Sequence, residues 1–128
     1  MLSLYEKYRP RTFADVLGQA AAIARIQRGL ARGWGGRAWW FCSNPGQGKT
    51  SLALILARLP GEGCEVVQIS ADQLKAATLE EWAETWEHDA APVLDPSFKV
   101  TGRAYIVDEA HGLAKSCIRR LDVLLENL

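Results

Sequence analysis

An α/β fold built on a parallel sheet is predicted by three observations. Short strand-like runs alternate with helix-like periodicities in the order βαβαβα. The first run, Ala38-Trp39-Trp40-Phe41-Cys42, leads into a glycine-rich loop and then an apolar helical pattern. The last, Ala104-Tyr105-Ile106-Val107, ends in two adjacent acids, Asp108 and Glu109. Alternation of this kind gives a parallel sheet faced by helices, because parallel strands need long crossovers and helices supply them.

Each element has its own signal. Tyr8 to Phe13 reads as extended, since Pro10 biases Arg9 away from helix. Gln19 to Arg32 carries Ala22, Ile23, Ile26 and Leu30 at helical spacing, puts arginines 25, 28 and 32 on the remaining surface, and stops at Gly33. Trp34 to Arg37 turns into the first strand, and a helix from Lys49 to Leu59 follows the loop, ended by Pro60-Gly61-Glu62-Gly63. Glu65 to Ile69 is a short β-branched run and predicts the second strand. Ser70-Ala71-Asp72 reads as a turn and helix cap. Thr78-Leu79-Glu80-Glu81 has the capping-box pattern, which predicts a helix to about Glu87 with Leu79, Trp82, Ala83 and Trp86 on one face. After a loop from Pro92 to Lys99, Arg103 to Val107 is the third strand. Leu113 to Leu128 is an amphipathic helix with Ile118, Leu121, Leu124, Leu125 and Leu128 inward.

Composition narrows the class. An apolar content of 48% in 128 residues suffices for one modest core, and no apolar run approaches the roughly 20 residues of a membrane span. The start of the chain meets charge at Glu6 and Lys7, unlike a secretory signal, so no membrane partner is expected and the cytoplasm is the expected location. Cys42, Cys64 and Cys117 are odd in number and far apart, which argues for buried thiols against a disulfide framework or zinc knuckle. Of the five tryptophans, Trp39 and Trp40 sit in a predicted strand and Trp82 and Trp86 one helical turn apart, so core packing is their first reading. Net charge is zero but uneven: residues 1–60 hold nine Lys or Arg against two acids, and residues 61–128 hold six against thirteen. A basic half suits phosphate or nucleic acid, unless one interleaved domain cancels the field.

The chemistry concentrates at two places. Ser43-Asn44-Pro45-Gly46-Gln47-Gly48-Lys49-Thr50 lies between a strand and a helix, where backbone N–H groups and the positive helix end converge. Gly46 and Gly48 let the backbone approach phosphate oxygens, Lys49 reaches the β- and γ-phosphates, and Thr50 supplies a hydroxyl to Mg²⁺. Ser43 stands where the full pattern has glycine. At the other place, Asp108 is suited to hold Mg²⁺ through its waters, and Glu109, on the other side of the pleat, to polarise an attacking water. Both places fall at the carboxyl edge of a doubly wound sheet, so they converge on one ligand, ATP with Mg²⁺. His111 reads equally as a surface residue or as a phosphate sensor.

The segment Leu4 to Gln19, containing Glu-Lys-Tyr-Arg-Pro and then Thr-Phe-Ala-Asp-Val-Leu-Gly-Gln, together with the loop and Asp108-Glu109-Ala110-His111, resembles the clamp-loader branch of the AAA+ ATPases. That is the family of the bacterial polymerase III gamma/tau and replication factor C small subunits. The resemblance implies a P-loop NTPase with a three-layer αβα parallel sheet, of which residues 1–128 are the N-terminal part of one domain carrying strands 1–3. The sensor strand, the trans-acting arginine and the helical lid of the family come after Leu128, and the four-cysteine zinc module of the bacterial subunit is absent. By the same resemblance Tyr8, Arg9, Pro10, Val16 and Leu17 line the base pocket, Asn44, Pro45, Gly46, Gln47, Gly48, Lys49, Thr50 and Ser51 hold phosphates, Thr50 and Asp108 serve the metal, and Lys49 and Glu109 are catalytic.

The implied activity is ATP binding and hydrolysis in a sliding-clamp loader acting in DNA replication. Its implied partners are other loader subunits, in a hetero- or homo-oligomer, the sliding clamp and primer-template DNA. The alternatives are a non-hydrolysing assembly subunit and another DNA-processing AAA+ ATPase of the Holliday-junction or recombination type. In the family's strand order, 5-1-4-3-2, the fourth strand lies between the first and third. A chain with only three strands therefore has a gap in its sheet, and is expected to belong to a longer protein and to be unstable and nearly inactive alone.

Overall fold

The computed structural model describes residues 7–42, 48–61, 63–90 and 102–127, and its chain divides into two units, residues 1–60 and 61–128. The division separates the basic half of the sequence from the acidic half.

In the first unit Tyr8 lies in a turn, and a 3₁₀ turn at Phe13–Asp15 follows an extended Thr12, so the segment from Tyr8 is less uniformly extended than Pro10 suggests. Helix α1 (Ala20–Leu30) forms on its Ala22, Ile23, Ile26 and Leu30 stripe. It stops at Gly33, which takes φ +108°, a left-handed value open to glycine. Its N–H donates to Leu30 C=O at 2.9 Å. Helix α2 (Lys49–Ala57) buries Ser51, Leu52 and Leu54 to Ala57. Ile26 of α1 and Leu52 and Leu56 of α2 make the core of this unit, with Phe13, Val16, Trp34, Trp39 and Phe41 packed on it. Trp34 Nε1 donates to Leu56 C=O at 2.7 Å, a carbonyl in the last turn of α2 that also accepts from Leu59 N–H at a long 3.4 Å.

The predicted strand Ala38–Cys42 does not form. Its side chains still alternate as a strand's do, Trp39 and Phe41 half-buried on the core and Ala38, Trp40 and Cys42 exposed. A strand, however, is defined by its ladder, and the described residues of this unit contain no second strand to pair with. Two expectations change with it. Trp40 is 73% exposed and not part of the core, and Cys42 is an exposed thiol and not a buried one.

The second unit holds the sheet. Strand β1 (Cys64–Ser70) pairs in parallel with β2 (Gly102–Asp108), from Cys64 opposite Gly102 to Ser70 opposite Asp108. Helix α3 (Ala76–Ala90) is the crossover between the two strands, and helix α4 (Lys115–Glu126) follows β2. Val67 and Ile69 of β1 and Tyr105 and Val107 of β2 share one face. That face packs on Leu79 and Trp82 of α3 and Cys117 and Leu124 of α4, with Leu74 from the connection. Tyr105 sits between the two tryptophans of α3, 4.5 Å from Trp82 and 5.5 Å from Trp86 between ring centroids. A bidentate pair, Arg120 to Glu80 at 2.6 and 3.0 Å, ties α4 to α3 across their outer sides. Among the described residues the fold is thus α/β with a two-stranded parallel sheet and four α-helices, in place of the three strands expected.

Two details of this unit correct the sequence reading. Helix α3 starts two residues before Thr78, and Thr78 is not its cap: its Oγ1 accepts from Lys75 N–H at 3.4 Å, while Lys75 C=O accepts from Leu79 N–H. Thr78 therefore fills the third-residue role of a capping box, reaching back to the residue before the helix. In α4 the inward stripe is Cys117, Leu121 and Leu124, and Ile118 is 42% exposed on its flank. Leu128 and the loop Pro92–Lys99 lie outside the described residues.

Candidate functional site

Helix α2 begins where the loop motif predicts. Gly48 precedes it with φ +79° and ψ +20°, a left-handed conformation that the glycine of Gly-Lys-Thr makes inexpensive. The first intrahelical bond runs from Leu52 N–H to Gly48 C=O at 3.0 Å, so the N–H groups of Thr50 and Ser51 belong to the helix's donor-rich N-terminal end. Lys49 and Thr50 are half-buried and Ser51 is 7% exposed. Asn44, Pro45, Gly46 and Gln47, with Ser43, lie outside the described residues. In the same unit Val16 packs on the core, Arg9 and Pro10 are half-buried, and Tyr8 and Leu17 are 73% and 91% exposed.

The acid pair stands at the carboxyl end of β2 in the second unit. Asp108 is the last strand residue and is fixed twice by β1 and its continuation: its C=O accepts from Ala71 N–H at 2.9 Å, and its Oδ2 accepts from Gln68 Nε2 at 2.7 Å. Glu109 does not continue the pleat. Its backbone turns left-handed, φ +57° and ψ +43°, alone among the described non-glycine residues, and a 3₁₀ turn at Ala110–Gly112 follows. The carboxylate is therefore aimed by this turn and not by strand alternation. It is 75% exposed and lies 3.4 Å from His111 Nε2.

Beside the pair, Ser70 Oγ donates to Asp72 Oδ1 at 2.5 Å, and this hydroxyl is the main reason that the Asp72 carboxyl lies below its ordinary range. Gln68, Ser70 and Asp108 share one face of the sheet, since register partners in parallel strands point the same way. Sequence reasoning passed over Gln68 and Ser70. The only signal was a polar residue breaking the apolar run Val66-Val67-Gln68-Ile69, and its meaning depends on a register that the sequence does not state.

The donors available, a hydroxyl at Thr50 and a carboxylate at Asp108, are hard oxygen ligands of the kind Mg²⁺ takes while keeping several waters. They lie in different units, Thr50 in the first and Asp108 in the second. Among the described residues, no group of three or more His, Cys, Asp or Glu side chains is arranged to hold a metal, and no helix is long and apolar enough to cross a membrane.

These features define an α/β protein compatible with part of a P-loop nucleotide-binding fold. Comparison with known proteins goes further: the chain is a homologue of the DNA polymerase III gamma and tau subunits. It is 30% identical to the tau/gamma subunit of Haemophilus influenzae over an alignment covering 96% of this chain and 20% of that protein. The gamma subunit of Buchnera aphidicola from Acyrthosiphon pisum is 27% identical over 96% of this chain and 38% of its own length. A shorter stretch of 62 residues, 48% of this chain and 9% of the relative, is 44% identical to the tau subunit of Escherichia coli. The chain thus spans well under half the length of these relatives. No family model matches it. No solved structure matches it significantly.

Proposed function

We propose that this chain forms the nucleotide-binding part of a clamp-loader-type ATPase subunit acting in DNA replication. The observation that carries the reading is the alignment with polymerase III gamma and tau subunits along 96% of the chain, which includes both Gly48-Lys49-Thr50 and Asp108-Glu109. Lys49 and the N-terminal N–H groups of α2 would supply positive charge to the β- and γ-phosphates of ATP, with Asn44, Pro45, Gly46, Gln47, Gly48 and Ser51 as the other phosphate-binding residues of this reading. Thr50 and Asp108 would hold Mg²⁺, which would offset phosphate charge. Glu109, exposed at the end of β2, accepts a proton from the attacking water as general base. Tyr8, Arg9, Pro10, Val16 and Leu17 close over the base. Other loader subunits, a sliding clamp and primer-template DNA are the partners this reading assigns.

The test is made in the intact protein. Lys49→Ala is expected to abolish binding of a fluorescent ATP analogue, and unchanged affinity rejects the site. Glu109→Gln is expected to keep that binding while lowering turnover by roughly 10²–10⁴-fold, the ordinary worth of a general base. Binding without any turnover in the unmodified protein, assembled with its partners, would instead make it the non-hydrolysing subunit.

A further inference from the structure

Gln68 belongs to β1, and in the parallel register it stands opposite Ile106, two residues before the partner of Asp108. Its side chain crosses this diagonal to reach Asp108 Oδ2 at 2.7 Å. An ionised carboxylate only accepts hydrogen bonds, so the amide nitrogen of Gln68, and not its oxygen, must face it. The bond does three things together. It occupies one carboxylate oxygen and leaves Oδ1 as the open one. It fixes the rotation of a carboxylate whose backbone is already held by Ala71 N–H. It also does so without charge, so that Asp108 keeps its full attraction for a cation, which a lysine at the same place would cancel.

We propose that Gln68 is a positioning residue: its amide orients the Asp108 carboxylate so that Oδ1 is presented to the hydrated Mg²⁺ of the nucleotide. The proposal rests on the nucleotide-binding reading above. Groups that orient a metal-bound carboxylate typically contribute ten- to a hundredfold to metal affinity, and an orienting bond from a neighbouring strand is well suited to that role because a sheet moves little.

The experiment compares Gln68→Met with Asp108→Asn in the intact protein. Methionine has similar length and bulk but cannot donate, and position 68 is exposed on its strand, so an apolar side chain there leaves the core unchanged. Mn²⁺ is titrated in the presence of a non-hydrolysable ATP analogue and followed by its electron paramagnetic resonance spectrum. Affinity for the same analogue without metal is measured in parallel. Gln68→Met is expected to weaken Mn²⁺ binding by roughly tenfold, within the range for such orienting groups, and to leave metal-free nucleotide affinity within twofold.

Asp108→Asn is expected to weaken Mn²⁺ binding further. If Gln68→Met leaves Mn²⁺ affinity within twofold while Asp108→Asn lowers it strongly, the Gln68 bond is a structural pairing and the proposal is wrong, with the nucleotide reading intact. If neither variant changes Mn²⁺ affinity, Asp108 is not at a metal site, and both fall. Equal losses of metal-free nucleotide affinity and Mn²⁺ affinity in Gln68→Met would mark a general disruption and also overturn it. Should Gln68→Met not fold, Gln68→Asn, whose amide is one methylene short of the carboxylate, carries the test with the same outcomes.

Discussion

Truncating Leu79 to alanine should destabilise the second unit more than any other single change to its core aliphatics. Leu79 is the one large side chain fully enclosed among the described residues, at the junction of α3 with Leu74, Trp82, Cys117 and Leu124. The change removes three carbons. Their transfer from water is worth about 0.8 kcal/mol each, and the cavity left behind in a packed site adds about 1–2 kcal/mol, which gives a loss of about 3–4 kcal/mol. A unit of this size has on the order of 3–10 kcal/mol in all, so the loss is a large share of it. Native-state hydrogen exchange reads this directly, because the amides of the β1–β2 ladder report on the second unit alone. Protection at Val67 and Ile106, whose N–H groups point into the ladder, should fall by roughly 10²–10³-fold, taking 1.4 kcal/mol per factor of ten. Ile118→Ala, on the exposed flank of α4, should change it by less than about tenfold. A loss below tenfold for Leu79→Ala, or one no larger than that of Ile118→Ala, would refute the assignment of this core.

Three further expectations concern other parts of the chain. Gly29→Ala should lower the melting temperature despite the helix propensity gain of about 1 kcal/mol, because the new Cβ strikes the ring of Trp39; a higher melting temperature in a differential scan would contradict this. Arg120 holds the Glu80 carboxyl below its ordinary value of 4.5, so the pair's contribution is present above that pH and lost as pH falls through the lowered value. Glu80→Gln should therefore flatten the acid limb of a stability–pH curve, less so at high salt, and an unchanged acid limb would exclude the effect. Glu109→Gly should raise the melting temperature by relieving about 1–2 kcal/mol of left-handed strain; a lower melting temperature would show that the turn is not strained.

Much of the fold was legible because its signals are local. The stripe Ala22, Ile23, Ile26 and Leu30 with Gly33 beyond it marks a helix by itself, and the β-branched Val66, Val67 and Ile69 mark a strand. What sequence reasoning got wrong depends on partners. The alternation in Ala38–Cys42 was real, yet a strand needs a neighbour, and none forms among the described residues of its unit. Ile118 ranks above Cys117 by hydrophobicity, but the position that points inward is set by where α4 rests on β2 and α3, and a cysteine fills it. The candidate site divides in the same way. Lys49, Thr50 and Asp108 were visible as residue types at the ends of periodic segments. The Gln68–Asp108 bond was not, since it follows from a register between residues forty apart, and neither was the left-handed turn at Glu109, which nothing in its side chain announces.

The parallel pairing of β1 with β2 also governs how this unit comes to be folded. Every pair in the ladder joins residues 38 apart in sequence, from Cys64 with Gly102 to Ser70 with Asp108. No contact between the strands can therefore form until the whole crossover segment has been closed, at an entropic cost on the order of 3 kcal/mol before any ladder bond repays it. A turn-first route, such as a hairpin uses, is closed to this sheet. Helix α3 shortens the search if it forms early, because it brings Leu79, Trp82 and Trp86 to one side as a template on which Tyr105 can dock. The rate of folding of this unit should therefore follow the helicity of residues 76–90 more closely than the strand propensity of either β1 or β2.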